Sequence, residues 1–233
     1  MSTLKYAISL KNIELGFKNY SLISDSSVDI PKGKLIGLVG LNGTGKTTLF
    51  KAILKEVQLS KGEIIINNLN LESVAIEEHI SVVYTHRFRA FGLTVMDVVS
   101  MGKHKLANWK GELSSTDIGE VMKYLSYLGL EEIKNQKINT LSDGQFQKVM
   151  IAKALVQETP IILMDEPTAF LDVKQKNEFY KLLKVLVREQ NKTIIVSTHD
   201  QIFIQEKCDE LLVIDNKKLL LTSPSYFQEF ILS

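Results

Sequence analysis

Gly40-Leu41-Asn42-Gly43-Thr44-Gly45-Lys46-Thr47-Thr48 follows the unbroken apolar run Leu35 to Val39 and precedes Leu49, Phe50, Ile53, Leu54 and Val57 at helical spacing. The run reads as a buried parallel strand and the repeat as a helix, so a glycine-rich segment joins strand to helix. Its glycines let the backbone curl until successive N–H groups point inward, assisted by the positive end of the helix. Such a loop cradles phosphate oxygens. Lys46 can reach the outer phosphates as a point charge, Thr47 can offer its hydroxyl to Mg2+, and Thr48 can donate beside it. Taken alone, the segment suits a kinase, a GTPase, a helicase or a motor equally well.

Working outward, residues 8 to 30 alternate apolar and polar positions, as half-buried antiparallel strands do, and Pro31-Lys32-Gly33 turns the chain. Glu63 to Ile66 and Ile80 to Tyr84 read as further strands around a polar turn at Asn67-Asn68. Between residues 88 and 140 the texture becomes helical. Thr94-Val95-Met96-Asp97 is a capping start, and Thr116 to Leu128 carries one apolar face before Gly129 ends it. Buried strands are then expected at Ile161 to Met164, Ile194 to Ser197 and Leu211 to Ile214, with helices at about 145–157 and 173–190. Asp215-Asn216 turns toward Leu219 to Leu221, and Ser223-Pro224 opens a short terminal helix. The reading is an α/β fold with a mainly parallel sheet, an antiparallel β layer at the N-terminal end and an inserted helical segment.

At 233 residues the chain suits one domain with a subdomain. A formal charge of +1, with 24% charged residues, offers no global field for nucleic acid, which is not expected as a partner. Cys208 is the single cysteine and reads as a packed, inert thiol. No basic start with an apolar stretch opens the chain, and no window approaches eighteen apolar residues. The chain is therefore read as neither secreted nor membrane-spanning, and as needing another protein to hold it at a membrane.

Asp165-Glu166 ends an apolar strand at the carboxyl edge of the expected parallel sheet, where ligands of open α/β sheets bind. Asp165 can hold Mg2+ through water, and Glu166 can orient and deprotonate an attacking water. Leu141-Ser142-Asp143-Gly144-Gln145 opens another helix, so Ser142 and the backbone at Gly144 make a second anion-binding terminus. One nucleotide needs one such site. A second suggests a composite site shared between two copies.

With these motifs in order, the sequence resembles the ATP-binding subunits of ABC transporters along essentially its whole length. The resemblance implies a P-loop NTPase core with the β subdomain at about 1–87 and 150–233, and a helical signature subdomain at about 88–149. It makes Ser142, Asp143, Gly144 and Gln145 the signature element touching the γ-phosphate of ATP on the opposite subunit, with Asp143 replacing a family glycine. Ala169-Phe170-Leu171-Asp172 resembles the loop lining the dimer seam, and His199 resembles the switch histidine that acts beside Glu166 and Lys46. ATP and Mg2+ are the implied substrate and ion, and a homodimer sandwiching two ATP is the implied assembly.

Two positions stay open. The adenine-stacking aromatic fits Phe17 better than Tyr20, although both are also packing candidates. Thr85 stands where the family has a glutamine reaching Mg2+, and its arm is two bonds shorter, so water or His86 would have to help.

The run Leu93 to His104 with Asn108 to Gly111 resembles the ATPases serving iron-siderophore, haem and cobalamin importers, with Lys103 in place of an arginine. That likeness implies a separate subunit on the cytoplasmic face of the membrane, held by a permease and served indirectly by a substrate-binding protein. Zinc, manganese or lipid import, or a soluble ATPase acting on DNA or ribosomes, are the alternatives. Arg87, Arg89, Lys103, Lys105 and Lys110 against Asp97 form a positive cluster, read either as a permease-docking surface or as a solvated helical face.

Overall fold

The computed structural model describes residues 5–17, 20–84, 92–106 and 113–225. The alternation along residues 8 to 30 becomes a long antiparallel hairpin, β1 (Tyr6–Phe17) and β2 (Tyr20–Pro31), with Ile8, Leu10, Ile13 and Leu15 of β1 buried. β3 (Leu35–Val39) is buried at all five residues and feeds α1 (Lys46–Ile53). β4 (Lys61–Ile66) and β5 (Leu69–Asn70) form a tight hairpin whose turn residues Asn67 and Asn68 have φ of 51° and 66°. Asparagine tolerates this left-handed conformation, so the polar turn is a hairpin with its own short strand, not merely a break.

After α2 (Ile76–His79) and β6 (Ile80–Val83), the helical segment holds α3 (Val95–Ser100) and α4 (Ser115–Tyr127). Both start with reciprocal capping boxes. Asp97 N–H donates to Thr94 Oγ1 at 3.1 Å while Thr94 N–H donates to Asp97 Oδ2 at 2.8 Å, and Ser114 and Asp117 repeat the pattern. Ser114 as cap explains why α4 starts one residue earlier than the apolar face suggests.

α5 (Asp143–Val156), β7 (Ile161–Asp165), α6 (Val173–Gln190), β8 (Thr193–Ser197), α7 (Gln201–Glu206), β9 (Glu210–Asp215) and β10 (Lys218–Thr222) complete the described elements. The terminal helix expected after Pro224 lies outside the described residues.

Among the described residues the strands form two sheets, one ordered β2-β1-β4-β5 and antiparallel, the other β10-β9-β3-β8-β7-β6. In the second, β10 alone runs antiparallel to its neighbour. Its central strands are apolar on both faces because each face has its own core. Ile36, Leu38, Leu163 and Ile195 pack with α1 and the antiparallel sheet, whereas Ile162, Met164, Ile194 and Val196 pack with α3 to α6.

One sequence expectation needs correction. Lys103 belongs neither to a docking surface nor to a solvated face: it is 3% exposed, and its ammonium is paired with Glu158 at 2.5 Å and with Glu120. Lys103 lies in the turn after α3, Glu120 on α4 and Glu158 just past α5, so one cation ties three parts of the helical region together. Asp97 is taken up by its capping box, and the side chains of Arg87, Arg89, Lys105 and Lys110 lie outside the described residues. Cys208 is largely enclosed, and burial raises its thiol pKa, as expected for an inert thiol.

Candidate active site

The loop between β3 and α1 is shaped by its residues one at a time. Gly45 caps α1 with φ 104° and ψ 17°, and a Cβ there would lie 3.1 Å from the Leu22 Cβ of β2. Backbone conformation and packing thus both demand glycine. Leu41 to Thr44 close a turn, with the Thr44 N–H and hydroxyl both donating to the Leu41 carbonyl, at 3.3 and 2.9 Å. Leu41, Asn42 and Gly43 form the exposed crest, and Thr48 is half-buried behind it. The buried Lys46 ammonium donates to the carbonyls of Gly40 at 2.8 Å and Leu41 at 3.2 Å, which places it inside the curve of the loop. Burial lowers its pKa, while the carboxylates of Glu166 and Asp165 oppose that.

Sheet order brings the acidic pair to this loop. Asp165 is buried and accepts from the Thr47 hydroxyl at 2.6 Å on Oδ2 and from the Ser197 hydroxyl at 2.5 Å on Oδ1. Ser197 is a residue that sequence reasoning left unassigned. The register that sets Asp165 opposite Ser197 follows from β7 and β8 being parallel neighbours, which no local pattern reveals. A serine closing an otherwise apolar strand was the available signal.

Glu166 turns sharply away from the strand, with φ of 47°, a conformation rare for a residue with a Cβ. Its N–H is held by both the carbonyl and the hydroxyl of Ser197, each at 3.1 Å. The turn aims the carboxylate at His199, whose Nε2 lies 3.1 Å from Glu166 Oε1. Burial raises the Glu166 pKa, only partly offset by His199 and Lys46 and reinforced by Asp165. A carboxylate with a raised pKa, touching an imidazole beside a phosphate-type loop, has the character of a general base.

Ser142, Asp143, Gly144 and Gln145 stand together at the start of α5, where Ser142 and Gln145 cap each other at 3.3 and 3.0 Å. The Ser142 hydroxyl accepts within this box and keeps its own proton to donate. Gly144 has a packing role invisible in the sequence: a Cβ there would lie 2.9 Å from the Phe170 carbonyl. Gly144→Ala is therefore expected to push Phe170 and α5 apart and to lower ATP turnover about tenfold, with helix content by circular dichroism unchanged.

Asp172 caps α6, its Oδ1 accepting from Gln175 N–H at 2.8 Å. Phe17 and Tyr20 pair across the tip of the β1–β2 hairpin and are 62% and 59% exposed, so neither is a core packing residue. Leu22, two residues from Tyr20, would lie 3.1 Å from a Cβ at Gly45, which puts this part of β2 beside the loop. The Tyr20 ring lies under Lys217 at 5.6 Å. Thr85 and His86 lie outside the described residues.

Comparison with known proteins agrees with this geometry. A family model described as ABC transporter matches residues 23–169. The achromobactin transport ATP-binding protein CbrD of Dickeya dadantii is 32% identical over 214 residues, covering 91% of this chain and 80% of that protein. The high-affinity zinc uptake system ATP-binding protein ZnuC of Bacillus subtilis is 31% identical over 206 residues, covering 88% and 89%. Among solved structures, the dimeric post-hydrolysis state of the ATP-binding cassette MJ0796 bound to ADP and Pi superimposes with a TM-score of 0.80 at 26% identity, covering 93% of this chain and 98% of that one. A loop built to enclose phosphates, an acidic pair whose Asp165 is bonded to it through Thr47 and to β8 through Ser197, and a family match across most of the chain lead to one conclusion: this protein belongs to the ABC transporter family, as one of its ATP-binding, ATP-hydrolysing subunits.

Proposed function

We propose that two copies of the chain close around two MgATP and that their hydrolysis drives inward passage of an iron complex (a ferric siderophore or haem) or of cobalamin through a separate membrane permease. The observation that carries the hydrolytic part is the Thr47–Asp165–Ser197 chain of hydrogen bonds with the Glu166–His199 contact beside it. Amides of Gly40 to Thr48 and the Lys46 ammonium hold the β- and γ-phosphates. Thr47 and Asp165 present hard oxygen donors side by side, which suits Mg2+ completed by phosphate and water oxygens, with Thr85 as a further candidate ligand. The ion supplies charge neutralisation on the phosphates when bound. Glu166 takes the proton of the attacking water on a carboxylate oxygen, and His199 holds that carboxylate in line through Nε2. Phe17 stacks on adenine at the hairpin tip.

Ser142 to Gln145 of the second copy face the γ-phosphate, with Asp172 at the seam. The dimeric ADP-bound relative supports this arrangement. No helix among the described residues is long and apolar enough to cross a membrane, which fits a subunit held at the cytoplasmic face by its permease.

The achromobactin transport relative supports a siderophore cargo, and the zinc uptake relative supports zinc as the second reading. Reconstitution with the permease and binding protein in vesicles separates them. A ferric siderophore, haem or cobalamin is expected to stimulate ATP turnover severalfold, whereas stimulation by zinc alone selects the second reading. Co-purification with ribosomes or DNA, without a permease, rejects transport.

A further inference from the structure

Glu166 and His199 meet at their tips, but what sets the spacing of the segments carrying them lies behind the site. Thr168 follows Glu166 by two residues and Asp200 follows His199 by one. Between them stands Tyr180 of α6, 3% exposed, its hydroxyl 2.9 Å from Asp200 Oδ2 and 3.4 Å from Thr168 Oγ1. A phenol has one proton to give, and the carboxylate is the stronger acceptor, so Tyr180 donates to Asp200 and its oxygen is left to accept from Thr168.

The phenol cannot drift. Its ring stacks on Phe203 with centroids 4.3 Å apart and planes at 28°, and Phe179 packs 6.0 Å away. Phe203 sits on α7, the helix that Asp200 itself caps, with Oδ1 accepting from Phe203 N–H at 3.1 Å. Asp200 N–H in turn donates to Thr198 Oγ1 at 3.1 Å, which ties together the residues on either side of His199. The Asp200 carboxylate thus divides its work: one oxygen caps α7 and the other reaches α6, where Lys176 also approaches it at 3.7 Å. The circuit closes as Glu166, His199, Asp200, Tyr180, Thr168 and back to Glu166.

We propose that the buried Tyr180 hydroxyl is a positioning group for His199, a rung that fixes the separation of the Glu166 and His199 segments. The inference rests on the ATPase site described above and extends it to a residue that touches no nucleotide. Removing the hydroxyl while keeping the ring leaves Asp200 with its longer Lys176 contact alone on that side, so the histidine loses registry without the core losing its packing. Small displacements of a catalytic pair cost disproportionately in rate.

The test is a double-mutant cycle on the full chain, read as single-turnover hydrolysis of MgATP with protein in excess. Tyr180→Phe is expected to lower the hydrolysis rate about tenfold with ATP affinity within about twofold of the parent. In a His199→Ala background the same substitution is expected to change the rate less than about twofold, because a rung acting through the histidine has nothing left to place. Equal fold losses in both backgrounds make Tyr180 a structural residue and overturn the proposal, as does an unchanged rate in Tyr180→Phe. An undiminished rate in His199→Ala overturns the reading of the site itself, and the rung with it.

Discussion

Replacing Glu166 with glutamine will lower ATP turnover by about 10²- to 10⁴-fold, the range for losing a general base, while nucleotide binding persists. Glutamine has nearly the same shape and can keep accepting from His199 Nε2, but it cannot take a proton from water. Its removal also relieves a cost. Burial raises the Glu166 pKa, so the folded state disfavours the ionised form, and the parent gains stability as pH falls through that raised value. Glu166→Gln therefore leaves the thermal midpoint at neutral pH equal to or above that of the parent. On the proposed mechanism, protonation of Glu166 is expected to produce an acid limb in the parent's rate profile that the Gln variant lacks. Phosphate release measured across pH, binding of a fluorescent ATP analogue and a thermal scan check these four statements. A variant keeping more than about a tenth of the parent rate would place the base elsewhere.

Lys103→Met is the substitution expected to cost the most stability outside the core. Methionine keeps much of the apolar stem but removes the cation between Glu120 and Glu158, leaving only the Lys192 charge acting on Glu158. Breaking a fully buried pair costs about 3–5 kcal/mol, but these two side chains are 33% and 46% exposed and keep some water, so about 2 kcal/mol is expected.

The pH dependence follows from the two directions. For Lys103, burial acts to lower the pKa, yet the hydrogen bonds and charges of Glu120 and Glu158 outweigh it and the net shift is upward. For Glu158, burial acts to raise the pKa, and the hydrogen bonds of Lys103 and Glu120 with the charges of Lys103 and Lys192 outweigh that, so the net shift is downward. A raised lysine stabilises below its ordinary value of 10.5 and loses this as pH rises through the higher folded value. A depressed glutamate stabilises above its ordinary value of 4.5 and loses this as pH falls through the lower folded value. The gap between parent and variant in urea unfolding should thus be full near neutrality and shrink in acid. A gap that persists undiminished below the range where Glu158 protonates would show that packing, not charge, holds this junction.

Lys103 illustrates how far sequence carries and where it stops. In the linear chain it is one of several basic residues in a polar, helical stretch, and composition there points outward. Its partners lie 17 and 55 positions further along, brought to it only when α4 and the end of α5 fold over the turn after α3. Ser197 and Tyr180 are similar cases. Each looks ordinary in its own window, and each acquires a role from a contact across the fold. By contrast, the capping box at Thr94 was legible at once, because both halves of the hydrogen-bonded pair lie within a single helical turn.

The sequence by itself determined the elements and the chemistry they carry. Apolar runs named the buried strands, three glycines and Lys46 named the phosphate loop, and Asp165-Glu166 named the acidic edge, since periodicity, backbone conformation and residue type are local properties. Only the tertiary structure decided which of these meet. Strand order set β3 beside β8 and β8 beside β7, and with it joined Thr47, Asp165, Ser197, Glu166 and His199, residues up to about 150 positions apart. It also decided that Lys103 is an internal tie and Gly144 a close-packing glycine. Those outcomes depend on how two faces of one sheet are covered, and burial of that kind is a property of the whole chain rather than of any stretch within it.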